Sequence, residues 1–100
     1  MKVEFEYLDA DGYPTVEALD IVRDWKDYNN VKGWFDFIKS IWWYPEWGWT
    51  EEDNIYHIST GGWSGNESII EAMQNNYILW SYTWEEHKRG GHFKFRIPVK

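Results

Sequence analysis

Ile55-Tyr-His-Ile-Ser-Thr-Gly-Gly-Trp-Ser-Gly-Asn-Glu-Ser68 is the stretch whose reading decides the fold. Its first part alternates as a strand, with Ile55 and Ser59 flanking the buried-type positions around Tyr56 and Ile58, and it breaks at Gly61 and Gly62. A helical pattern begins near Ser64 to Asn66 and continues through Glu67, Ile69, Ile70 and Met73. The order is strand, glycine loop, helix. Consecutive glycines permit positive φ and a close backbone approach, and a helix start offers unpaired N–H donors at a positive dipole end. Such a loop can hold an anion. It matches neither GxxxxGK[ST] nor GxGxxG, so no nucleotide-binding fold follows from it, and a tight turn with a helix cap accounts for the same residues.

Working outward, residues 77 to 86 set Ile78, Trp80, Tyr82 and Trp84 against Leu79, Ser81, Thr83 and Glu85, a strand pattern rich in β-formers. Lys88-Arg-Gly-Gly91 is a turn, and His92 to Ile97 alternates again, with Phe93, Phe95 and Ile97 on one side and His92, Lys94 and Arg96 on the other. This predicts a hairpin. Before the glycine loop, residues 2 to 8 alternate as a further strand, ended by Asp9-Ala-Asp-Gly-Tyr-Pro. That segment resembles the start of a calcium loop, but the later ligands do not follow in register. Thr15 to about Asn29 carries Leu19 and Val22 at helical spacing. A second helix is predicted from about Val31 to Trp43, stopped by Pro45, and Trp47-Gly-Trp49 is a short extended piece before the polar loop Thr50 to Asn54. The expectation is one α+β domain over residues 1 to 100, an antiparallel sheet of four or five strands with two or three helices packed on one face.

Composition sets bounds on function. The chain has no Cys, which removes disulfide frameworks and thiolate metal sites, and no HxxxH or HExxH for zinc. No apolar run is long enough to span a membrane and the N-terminus lacks a signal-peptide pattern, so a cytoplasmic protein is expected, with no membrane partner and no cofactor. A net charge of −7 argues against nucleic acid as a partner. The charge is uneven. Residues 1 to 54 hold 13 acidic and 5 basic side chains, against 4 and 5 in residues 55 to 100, which also carry all three His. An anionic ligand is therefore drawn to the second half. Nine Trp exceed what one small core buries, which points to a homodimer or higher homo-oligomer, with Trp42, Trp43, Trp47 and Trp49 as candidate surface.

If the hairpin lies beside strand 55 to 60, its basic tip approaches the glycine loop. The candidate ligand-binding residues are then Ser59, Thr60, Gly61, Gly62, Trp63, Ser64, Asn66, Trp84, Arg89 and His92, an anion site with a stacking ring. No GxSxG elbow or paired acid and base appears, and no enzyme is expected.

Ser59-Thr-Gly-Gly-Trp-Ser-Gly-Asn-Glu-Ser-Ile-Ile70, followed by Trp80, Trp84 and Arg89-Gly-Gly-His-Phe-Lys-Phe95, resembles a group of small proteins encoded by bacteriophages and prophages. The resemblance covers roughly residues 47 to 98. It implies action in the host cytoplasm and carries over no catalytic residue. The expectation is an anti-defence protein that sequesters a small phosphorylated or nucleotide-type ligand. The alternative is an inhibitor of a host defence protein acting through an acidic, Trp-rich surface, in which the carboxylates at 17, 20, 24 and 27 matter. Sugar binding on Trp platforms ranks below both.

Overall fold

The computed structural model describes residues 7–98. Most of the strand read at 2 to 8 lies outside them, and Leu8 forms an isolated antiparallel bridge with Pro14. Between these two, Asp9 Oδ1 accepts the N–H groups of Asp11 and Tyr13 at 2.9 and 3.0 Å, so the Asp-x-Asp-Gly sequence is satisfied as a side-chain turn.

Nine elements follow among the described residues: α1 (Val16–Asp24), α2 (Val31–Ile41), α3 (Pro45–Gly48), β1 (Trp49–Glu52), β2 (Ile55–Ser59), α4 (Ser64–Asn75), α5 (Tyr77–Thr83), β3 (Trp84–Lys88) and β4 (His92–Arg96). The fold is α+β with one antiparallel sheet in the order β1-β2-β4-β3. β2 and β4 are the two inner strands. Tyr56 lies opposite Phe95 and Ile58 opposite Phe93, and all four are buried. Their layer is met by α2, whose Val31, Trp34, Phe35, Ile38 and Ile41 fall on one stripe, and Phe35 stacks on Tyr56 at 4.3 Å. The opposite face, with His57 opposite Lys94 and Ser59 opposite His92, is open to solvent in the manner of an antiparallel sheet covered on one side.

Three local readings are corrected. Residues 77 to 83 form a helix where a strand was expected. Asn76 starts it: its Oδ1 accepts the Leu79 N–H, while its Nδ2 donates to the carbonyls of Val22 and Trp25 and fastens the new helix to the end of α1. The buried positions are then Leu79 and Thr83, four apart, so tertiary contacts override the β-preference of Tyr, Ile and Trp. Secondly, Thr50 to Glu52 belong to strand β1, which pairs with β2 through a turn at Asp53 and Asn54, both at positive φ. Only Trp49 of that edge strand is buried, so it carries no alternation to read. Thirdly, Trp47 and Gly48 are helical in α3, and Pro45 opens that helix instead of stopping α2. The helix expected from Thr15 to Asn29 ends at Asp24, and α2 ends at Ile41. Five helical segments replace the two or three expected because α3 and α5 are short.

Candidate functional site

The segment joining β2 to α4 is held from both sides. The Thr60 N–H donates to the Gly91 carbonyl at 3.0 Å, so the hairpin β3–β4 does lie beside the glycine loop. Gly62 N–H donates to Thr60 Oγ1 and Trp63 N–H to the Thr60 carbonyl, which closes the loop on itself. Gly61 and Gly62 take φ of 65° and 76°, the left-handed conformation that the sequence assigns to them. Across the rim, a Cβ on Gly91, also at positive φ, would run into the Thr60 hydroxyl.

The other expected site residues separate into three groups. Thr60, Trp63, Ser64 and Asn66 are structural in their contacts. Trp63 lies against Gly65, stacks with Trp43 at 4.9 Å and meets Tyr13 at 4.7 Å, so its ring roofs the first turn of α4. Ser64 Oγ reaches the Tyr13 hydroxyl. Asn66 is buried, its Oδ1 accepting the Trp43 N–H and its Nδ2 donating to the carbonyls of Trp43 and Thr60. Trp84 belongs elsewhere: it opens β3 opposite Phe95, four strand residues and about 13 Å from Lys88, and stacks on Trp80. Ser59 and His92 remain together, with Arg89 exposed in the adjoining turn.

Ser59 and His92 open onto a 220 Å³ basin on the solvent face of the sheet, lined by His57, Ile58, Ser59, Glu86, Lys88, His92, Phe93 and Lys94. Two cross-strand rows build it, Ser59–His92–Lys88 and His57–Lys94–Glu86. Ser59 Oγ and His92 Nδ1 are 2.7 Å apart, which fixes the ring and leaves Nε2 as its other polar edge. Arg96 is committed elsewhere, donating to Glu85 at 2.7 Å, and that hydrogen bond holds the Glu85 carboxyl below its usual range. The two lysines keep only long ion pairs, Lys94 to Glu85 at 3.7 Å and Lys88 to Glu86 at 3.9 Å. Two ammonium groups against one lining carboxylate make the basin locally cationic in a chain of net charge −7. The Ser59–His92 pair, which leaves one proton to donate outward, the His57 imidazole and two ammonium groups on one face are donors suited to phosphoryl oxygens. Ser59 and His92, both expected in one site, lie side by side, whereas His57, Lys88 and Lys94 were not among the expected site residues. The signal was present in the outward positions of two adjacent strands.

On the helical side of the same loop a second cavity, 270 Å³, is lined by Trp43, Tyr44, Trp47, Thr60, Gly61 and Asn66. Of the four Trp expected at the surface, Trp42 and Trp49 are instead buried and meet edge to face at 5.7 Å, while Trp43 and Trp47 are 47% and 65% exposed. The gap of one residue between a buried and an exposed indole arises where α2 ends and the chain turns through Tyr44. No protein-family model, curated protein or solved structure matches the chain.

Proposed function

We propose that the protein binds and sequesters a small phosphorylated ligand, its phosphoryl group seated in the sheet-face basin. The observation that carries this reading is the Ser59–His92 hydrogen bond beside Lys88 and Lys94, which presents an oriented donor next to two incompletely paired cations. The resemblance to phage-encoded proteins supplies the setting, a host signalling molecule withdrawn from a defence response. Ser59 and His92 are paired as a nucleophile and base would be. Among the described residues, however, no carboxylate partners His92, so binding without turnover is the reading favoured.

A thermal-shift screen of linear and cyclic nucleotides and ADP-ribose derivatives tests this. A ligand at about 100 times its Kd stabilises the fold by about 2.7 kcal/mol, a shift of about 10 to 20 °C for a domain of this size. The shift should fall in Lys94→Gln and in Lys88→Gln, and the ligand should be recovered unchanged. A screen in which no phosphorylated compound stabilises the wild type refutes the reading, and turnover refutes its non-catalytic part.

A second reading, inhibition of a basic host protein, is favoured by a 640 Å³ groove lined by Asp20, Ile21, Asp24, Trp25, Lys26, Asp27 and Asn30. Arg23 offsets part of its charge through Asp20 and Asp24. Co-purification of a host protein that is lost in Asp20→Asn/Asp27→Asn would favour this reading over the first.

A further inference from the structure

The cavity between Trp43 and Trp47 is unlike the basin in its chemistry. Three of its six lining residues are aromatic and none is charged. Its two non-aromatic polar side chains are already engaged: Asn66 is taken up by Trp43 and Thr60, and Thr60 Oγ1 accepts from Gly62. The remaining polar atoms of the lining side chains are the Tyr44 hydroxyl and the indole N–H groups of Trp43 and Trp47, which sit on the edges of the rings and leave the ring faces apolar. The rings also fail to make a parallel slot. Trp43 already has Trp63 stacked on it, and Tyr44 meets Trp43 at 39°, so the walls form a corner. Trp47 lies on Gly61, where a Cβ would come within 3.2 Å of its ring.

The charged residues next in sequence to this lining, Glu46 beside Trp47 and Glu67 beside Asn66, are both acidic. Glu46 is the sole charged residue from Ser40 to Thr50, and it stands between Tyr44 and Trp47 in α3. Tyr44 is held at φ 62° and ψ 53°, a conformation a bulky side chain takes at a cost, with its carbonyl accepting the N–H groups of Trp47 and Gly48. That turn is what sets Trp43, Tyr44 and Trp47 around one space. The geometry points to a second binding site, independent of the basin, for a compact organic cation of the quaternary ammonium type. Its positive methyl surface meets ring faces and needs no hydrogen-bond donor or acceptor.

The test is a pair of isosteres, choline and the neutral 3,3-dimethylbutan-1-ol, titrated into the full chain by tryptophan fluorescence and calorimetry. Choline should saturate and bind at least about tenfold more tightly than the alcohol, the factor expected from one or two face contacts of a cation with indole. Trp47→Leu should lose about tenfold in choline affinity, and Trp84→Ala should retain it. Tyr44→Gly removes a ring while relieving the left-handed turn, so it should weaken choline binding without lowering the denaturation midpoint. A peptide carrying trimethyllysine that binds at least tenfold more tightly than choline would locate the ammonium group on a protein; equal affinity would locate it on a free small molecule. The inference is overturned if the alcohol binds as well as choline, if neither saturates below about 10 mM, or if adenosine binds in preference to both.

Discussion

Asn66→Ala should be among the most damaging single changes in the chain, although Asn66 sits in a loop-to-helix segment that reads as a ligand site. The side chain is 1% exposed and makes three hydrogen bonds of 2.9, 3.2 and 3.3 Å, joining the exit of α2 and the end of β2 to the first turn of α4. Truncation leaves the Trp43 N–H and carbonyl without their partner. The Thr60 carbonyl keeps one donor, the Trp63 N–H at 3.2 Å. Two polar groups losing their partners at about 1 to 2 kcal/mol each give a cost of about 2 to 4 kcal/mol, or roughly 10 to 25 °C in Tm for a domain of this size. Asn66→Asp keeps the acceptor for Trp43 N–H but turns a second oxygen toward two carbonyls, so at neutral pH it should cost at least as much. Urea denaturation followed by tryptophan fluorescence measures both. A loss below about 1 kcal/mol for the alanine variant would refute the claim that Asn66 is a structural clamp.

Burial, reinforced by the charges of Glu51 and Asp36, pushes the Tyr56 hydroxyl from its ordinary value of 10.0 up to about 12. Its folded pKa lies above the unfolded one, so stability is lost as pH rises from 10 toward 12, by about 2 to 3 kcal/mol across that window, and Tyr56→Phe should abolish this slope in alkaline denaturation curves. For Glu85 the sign reverses. Arg96 holds its carboxyl below the ordinary 4.5, so the pair stabilises above that pH and fails as pH falls through the depressed value; an NMR titration of Arg96→Ala should move Glu85 upward. Trp34 donates from Nε1 to the Val22 carbonyl at 3.0 Å, whereas buried Trp42 Nε1 has no acceptor among the described residues. Trp34→Phe should therefore destabilise more than Trp42→Phe, by about 1 kcal/mol in denaturant midpoints analysed at fixed slope, and equal losses would contradict the assignment.

The elements that could be read from sequence are those whose burial pattern matches one period over several residues. Tyr56 and Ile58, Phe93 and Phe95, and the stripe from Val31 to Ile41 are of this kind, and they fix the sheet and its main helix. Residues 77 to 83 could not be read so, because their side chains favour a strand while Asn76, linked across more than fifty residues to Val22 and Trp25, starts a helix. The edge strand β1 was hidden by having a single buried residue. At the site, the positive φ of the glycines was legible, since it follows from local turn chemistry, whereas the pairing of Ser59 with His92 rests on a register between strands 33 residues apart. The roles of Trp63 and Asn66 were not legible, because a polar or aromatic residue beside a glycine loop looks the same whether it faces a ligand or a neighbouring helix end. The partner residues that decide it, Trp43 and Tyr13, lie 20 and 50 residues away from Trp63 in the chain.

The most direct measurement of the central claim is a backbone amide NMR titration with inorganic phosphate, then with the tightest phosphorylated compound from the thermal screen. The account expects the largest shifts at His57, Ser59, Lys88, His92 and Lys94, the residues of the sheet-face basin, with Trp43, Tyr44 and Trp47 unmoved. Saturable shifts confined instead to Ser64, Gly65 and Asn66, beneath the Trp63 ring, or shifts no larger at the basin than across the rest of the chain, would contradict it.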